Sequence, residues 1–201
     1  MTLHQIFPEP IYISKIERAL TKEELKTVDN YKKKTRRNLG NTRTNDGYAL
    51  DHKGLKNLKK DLYKKVVDYF NKVVCTSNSI VPYITQSWIN YTETNQYHPS
   101  HSHGNSYVSG VFYIDAKKGV DKIKFYKRGH QEMLLSISTY NIFNSSTWWY
   151  PVQTGDVILF PSSLIHGVDV KTGTNTRINL SFNVFFKGKI GDYRTLTELV
   201  L

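Results

Sequence analysis

Residues 155–186 read GDVILFPSSLIHGVDVKTGTNTRINLSFNVFF. A glycine turn leads into a short apolar run, Pro161, Ser162 and Ser163 interrupt it, and His166 stands where a further strand begins. Eleven residues on, Arg177 opens RINLSFNVFF, a β-branched and aromatic stretch in which Arg177, Asn179 and Ser181 share one face at the two-residue period of a strand. An arginine turned inward on such a strand is costly unless it meets an anion. The other reading of Arg177 is an edge residue paired with a surface carboxylate.

Outward from this segment the chain divides in two. YITQSWINY, SYVSGVFYI and DKIKFYKR read as further strands, separated by Gly, Pro, Asn and His clusters. Upstream, Thr21 and Glu24 form the Thr-x-x-Glu capping box of a helix starting at residue 22. Leu55, Leu58, Leu62, Val66, Tyr69, Phe70 and Val73 recur at intervals of three and four, as on the buried stripe of a second helix. Residues 38–53, NLGNTRTNDGYALDHK, lack apolar periodicity and read as a loop, the natural candidate for a lid. Helices followed by strands, without alternation, predict an α+β, mainly β fold of antiparallel or jelly-roll type with N-terminal supporting helices. The expected organisation is one domain: a helical support and basic region over 1–79, a β core over 80–188 and a tail over 189–201.

The 201 residues carry 39% hydrophobic and 13% aromatic side chains, enough for one packed core and too few residues for two enzymatic domains. No stretch approaches the roughly 20 apolar residues of a membrane span. Cys75 is the single cysteine, which excludes an internal disulfide and points to a reducing cytoplasm, with Cys75 expected as a small buried hydrophobe. The net charge of +11 is concentrated over residues 31–65 and suits either solvated helix faces or an anionic partner. Trp148, Trp149 and Tyr150 are expected as an edge-packing cluster rather than a substrate platform.

In YHPSHSHGNSYVSGVFYI, His98, His101 and His103 fall within six residues, and the i, i+2 spacing aims His101 and His103 to one side of an extended chain. By itself such a cluster fits an exposed turn or a metal site. The order H-x-H, SGVFYI, GDVILFPSSLIHGV and R-x-N-x-S resembles the iron(II)- and 2-oxoglutarate-dependent oxygenases of the double-stranded β-helix fold. Within them it is similar to the prolyl-hydroxylase-like branch from bacteria and phages. The resemblance covers roughly residues 85–186.

The resemblance implies Fe(II) held by His101, His103 and His166, with Arg177 pairing with the distal carboxylate of 2-oxoglutarate. It also implies a supporting hydroxyl from Ser181, a cosubstrate contact from Tyr113, and Asn179 on the same cosubstrate-binding face. Trp88 and Asn90 on the preceding strand are either pocket or core residues. One position departs from the family, which usually has Asp or Glu where His103 stands. Glu93 is a remote alternative third ligand, and His98 is expected to face substrate or support a ligand. The implied activity is a dioxygenase that uses dioxygen to hydroxylate an unactivated C–H bond, with prolyl or another side chain of a protein or peptide as substrate. Two alternatives stand beside it: an oxidative demethylase or hydroxylase of nucleic acid, reached through the basic first half, and a non-catalytic metal- or anion-binding jelly-roll module.

Overall fold

The computed structural model describes residues 2–77, 79–129 and 135–201. In chain order the elements are β1 (Tyr12–Lys15), α1 (Lys22–Lys32), β2 (Thr35–Arg37), β3 (Thr42–Thr44), α2 (Lys56–Tyr69), β4 (Ile80–Thr92) and β5 (His98–His101). They continue with β6 (Val108–Asp115), β7 (Lys122–Tyr126), β8 (Thr147–Pro151), β9 (Asp156–Pro161), β10 (His166–Val168), β11 (Arg177–Ile190) and β12 (Leu199–Val200). Two antiparallel sheets result. The larger runs β1-β9-β6-β11-β4-β3-β2, with β12 added to the end of β11, and the smaller runs β5-β10-β7-β8. This is a mainly β jelly roll, the fold class the strand pattern predicts.

The large sheet is buried on both faces, and the alternation along its strands sorts the side chains. Phe112 and Ile114 of β6, Val157 and Leu159 of β9, and Leu180, Phe182 and Val184 of β11 pack against Leu58, Leu62, Val66 and Tyr69 of α2. The intervening residues Val111, Tyr113, Ile158 and Phe160 turn the other way, into a second cluster with Ile123 and Phe125 of the small sheet. The helices thus back one face, and the opposite face lines the space between the sheets.

Local signals explain the helices. Thr21 Oγ1 accepts the Glu24 backbone N–H at 3.2 Å while Glu24 Oε2 accepts the Thr21 N–H at 2.8 Å, completing the capping box. Arg18 grips the Glu24 carboxylate with both terminal nitrogens at 2.7 Å and reaches Asp61 of α2 at 2.8 Å, tying the two helices together. The apolar stripe of α2 runs on into a single π-helical turn over Phe70–Val74.

Four sequence expectations need correction. Residues 38–53 are not an open loop: β3 pairs with β2 and β4, and Ala49 and Leu50 are fully buried in short 3-10 turns. Three-residue strands and single turns are too short to show a periodicity. Cys75 is exposed rather than buried, because it ends the π turn in the left-handed region at φ 48°, pointing its thiol back to the Asn71 carbonyl. Val73, counted in the apolar stripe, is likewise exposed, since the widened π turn shifts the helical register. Trp148 and Trp149 sit on the outer strand β8 at the expected edge, but both are exposed rather than packed, with Lys122 Nζ 5.0 Å from the Trp149 ring centroid. Among the described residues no helix is long and apolar enough to cross a membrane.

Gly110 on β6 is directly opposite Phe182 on β11, and a Cβ there would come within 2.2 Å of the Phe182 ring. Gly110→Ala is therefore expected to lower unfolding free energy by about 1–3 kcal/mol through overpacking, read as a lower urea midpoint with unchanged slope.

Candidate active site

The strands place three imidazoles together. His101 ends β5 and His166 begins β10, and the antiparallel register sets the two directly opposite each other. His103 lies just beyond β5, where its backbone N–H donates to the Ser162 carbonyl at 2.9 Å and fixes the chain ahead of the turn at Gly104 and Asn105. One ligand nitrogen from each of the three histidines falls within 4.8 Å of the others.

Hydrogen bonding determines which nitrogens these are. His101 Nδ1 lies 2.9 Å from the Pro99 carbonyl, His166 Nδ1 lies 3.0 Å from the Leu164 carbonyl, and His103 Nδ1 lies 2.5 Å from Asn183 Oδ1. All three partners are acceptors, so each Nδ1 carries the proton and donates, and each Nε2 is left with a bare lone pair. His101 Nε2 and His103 Nε2 then face each other at 3.0 Å. Lone pairs directed at one another repel, and a cation between them removes the conflict. Burial, with the neighbouring His101 next, lowers the His166 pKa to about 3. Burial also holds His103 below the ordinary imidazole range against the opposing pull of its Asn183 hydrogen bond. Neutral imidazoles are the ligand form, and three of them leave coordination positions open, so the donor set fits a divalent transition metal.

The opposite end of the pocket is built on β11. Arg177, Asn179 and Ser181 project from one face and are all buried. Arg177 donates from Nη2 to Thr92 Oγ1 at 3.2 Å, and its Nε has no hydrogen-bond partner. Burial lowers the Arg177 pKa, opposed by Tyr113 and Asp121. The Ser181 hydroxyl accepts from Asn90 Nδ2 and Asn179 Nδ2, each at 3.1 Å, which occupies both lone pairs and leaves its proton to donate. Burial raises the Tyr113 pKa far above the ordinary range, keeping this phenol a donor as well. An unpaired guanidinium nitrogen and two hydroxyl donors fit this end to an anion.

His101, His103, His166, Arg177, Asn179, Ser181 and Tyr113 all line this one pocket, and Trp88 and Asn90 line it too. His98 also lines it, with its ring 4.5 Å from that of His101 and its Nδ1 3.1 Å from the Leu39 carbonyl. Glu93 does not join the histidines; its carboxylate accepts from Thr176 Oγ1 at 2.7 Å. The sequence reading missed Asn183, although it continues the same two-residue spacing beyond Ser181. It also missed Asn41 on the β2–β3 hairpin, whose Nδ2 donates to Thr92 Oγ1 at 3.1 Å. No sequence signal marks that contact, because Asn41 and Thr92 lie in separate segments.

Solved structures share this architecture. An oxidoreductase of the 2OG-Fe(II) oxygenase family from Burkholderia pseudomallei is 14% identical with a TM-score of 0.58, over 87% of this chain and 84% of that one. HygX from Streptomyces hygroscopicus, with nickel and 2-oxoglutarate bound, is 12% identical with a TM-score of 0.57, over 88% and 81%. A prolyl hydroxylase from Trichoplax adhaerens, in complex with a hypoxia inducible factor peptide fragment, is 13% identical with a TM-score of 0.58, over 87% and 83%. No curated protein matches the sequence. The shared fold is the oxygenase jelly roll. Residues 86–183, which span β4 to β11 and carry the lining of the pocket apart from Asn41, match the family model described as "Putative 2OG-Fe(II) oxygenase".

Asn183 holds the His103 ring and its tautomer, so Asn183→Leu is expected to weaken divalent-metal affinity by about 10–100-fold, measured by chelator competition. The metal-free protein is also expected to be acid-sensitive. Burial, with His101 next, lowers the His98 pKa to about 4 and the His166 pKa to about 3 from an ordinary 6.5, so the unfolded chain takes up protons first. The stability these neutral rings contribute is complete above about pH 6.5 and is lost as the pH falls through about 4 and then about 3, a trend that denaturant midpoints across this window would follow.

Proposed function

We propose that this oxygenase hydroxylates an unactivated C–H bond in a side chain of a protein or peptide, with a prolyl ring as the first candidate. In this reading His101, His103 and His166 hold iron(II) through Nε2, and Arg177, Ser181 and Tyr113 bind the distal carboxylate of 2-oxoglutarate. The observation that carries it is one pocket with two complementary ends: converging imidazole lone pairs at one, and a buried guanidinium with a free Nε at the other. When bound, the iron supplies the oxidising chemistry, coupling conversion of 2-oxoglutarate and dioxygen to succinate and carbon dioxide with insertion of one oxygen atom into the C–H bond.

The protein's own part is positioning. Carbonyls and Asn183 keep three neutral imidazoles in one tautomer, so no proton competes for the metal position. Asn90 and Asn179 orient the Ser181 hydroxyl, and the apolar wall of Val111, Ile123 and Phe160 limits water around the reacting atoms. A histidine in place of the usual carboxylate leaves the metal with its full dipositive charge, which strengthens its attraction for a dianionic cosubstrate. The peptide-bound hydroxylase among the structural neighbours supports a peptide substrate.

A specific placement favours a second reading, an anionic substrate such as nucleic acid. Arg36 is opposite Arg43, and Arg43 is opposite Asn90, so a basic row leads along the inner face from the sheet edge to the pocket.

The test is anaerobic reconstitution with iron(II) and addition of 2-oxoglutarate, followed by air and a succinate assay with prolyl peptides or oligonucleotides. A visible charge-transfer band, then succinate release stimulated by prolyl peptides, is the expected result. Stimulation by oligonucleotides alone would favour the second reading, and iron bound without a band would overturn both and leave a binding module. Arg177→Ala should keep iron affinity and lower 2-oxoglutarate affinity by about 10–100-fold, the value of a buried charge-assisted contact.

A further inference from the structure

Behind Arg177 lies a second pair of buried charges that the oxygenase chemistry does not itself require. Asp121 immediately precedes β7, and Lys171 lies in the connection from β10 to β11. The side chains of Asp121, Lys171 and Arg177 are 0%, 1% and 3% exposed. Asp121 Oδ1 stands 3.8 Å from Lys171 Nζ and 3.8 Å from Arg177 Nη1, too far to hydrogen-bond either, and it has no hydrogen-bond partner. The other oxygen, Oδ2, accepts from the Lys117 backbone N–H at 2.9 Å and from Asn175 Nδ2 at 3.3 Å, which fixes the carboxylate in place. Lys171 Nζ donates to the Gly173 carbonyl at 3.0 Å and to Asn175 Oδ1 at 2.9 Å.

Two cations share one anion, so the buried trio keeps one unit of positive charge. An isolated Arg177–Asp121 pair would be neutral and would give a dicarboxylate little reason to displace water. With Lys171 balancing Asp121, the guanidinium charge stays available, and a buried net charge is stable only when an anion meets it.

Resting on the cosubstrate assignment proposed for Arg177, we infer that Lys171 sets the charge at the distal end of the cosubstrate pocket. It offsets Asp121 and so selects 2-oxo acids that carry a second carboxylate. Lys171 and Asp121 act through Arg177 and are positioning residues. The metal end is common to all 2-oxo acids, so this selection appears only in the comparison between a dianion and a monoanion of similar length.

The experiment is calorimetric binding of 2-oxoglutarate and of 2-oxopentanoate, which lacks the distal carboxylate, to the manganese(II)-loaded full chain. Lys171→Met should lower 2-oxoglutarate affinity by on the order of tenfold, with manganese and 2-oxopentanoate affinities unchanged. Lys171→Arg should retain the preference. Asp121→Asn keeps an acceptor for the Lys117 N–H and should raise the ratio of 2-oxoglutarate to 2-oxopentanoate affinity, which gives an independent test if Lys171→Met does not fold. Equal weakening of both acids by Lys171→Met, or an Asp121→Asn ratio at or below that of the unaltered protein, would overturn the inference and leave the trio a structural brace. Failure of the unaltered manganese protein to bind 2-oxoglutarate would instead overturn the cosubstrate assignment on which it rests.

Discussion

The alternation of β11 governs the rest of the molecule. This strand pairs with β4 on one side and β6 on the other, so it lies inside the large sheet with no free edge. Its even-numbered residues Leu180, Phe182 and Val184 are held by the helix-backed core, which leaves no freedom of register for the odd-numbered ones. A slip of one residue would carry Arg177, Asn179, Ser181 and Asn183 into the apolar layer and three hydrophobes into the pocket. The buried guanidinium end of the pocket and the hydrogen bond that orients His103 therefore depend on the same packing that holds the helix-backed core.

The two ends of the pocket answer opposite electrostatic demands within a single cleft. At one end protons have been committed outward to carbonyl and amide oxygens, which leaves an excess of inward lone pairs. At the other, donors outnumber acceptors around Arg177, Ser181 and Tyr113. Neither end is satisfied by the protein alone, unlike the usual buried polar group, and that imbalance is the physical mark of a binding site. The extra cation at Lys171 carries the same imbalance one layer deeper into the fold.

Much of this was legible in the linear chain because strands and helices encode their faces at short range. The capping box at Thr21, the α2 stripe and the i, i+2 spacing of His101 and His103 or of Arg177 and Ser181 are local patterns, and apart from Val73 at the π turn each side chain appears on the face its spacing implies. The misreadings came from places where local pattern is weak. The segment around Asn41 is held by pairing with β4, and nothing within its own sequence announces a strand. Cys75 is apolar by type, yet its position follows from a helix end that no simple period describes.

The sequence by itself determined the mainly β class, the supporting helices and the set of histidines and inward polar residues, because periodicity and residue chemistry are properties of neighbouring positions. Only the tertiary structure decided that His166 would stand opposite His101, and that Asn183 would meet His103 across 80 positions of sequence. It alone brought Asp121, Lys171 and Arg177 into one buried trio. Those relations are set by strand order and sheet facing, which arise from burying apolar surface across the whole chain, and no local spacing records them.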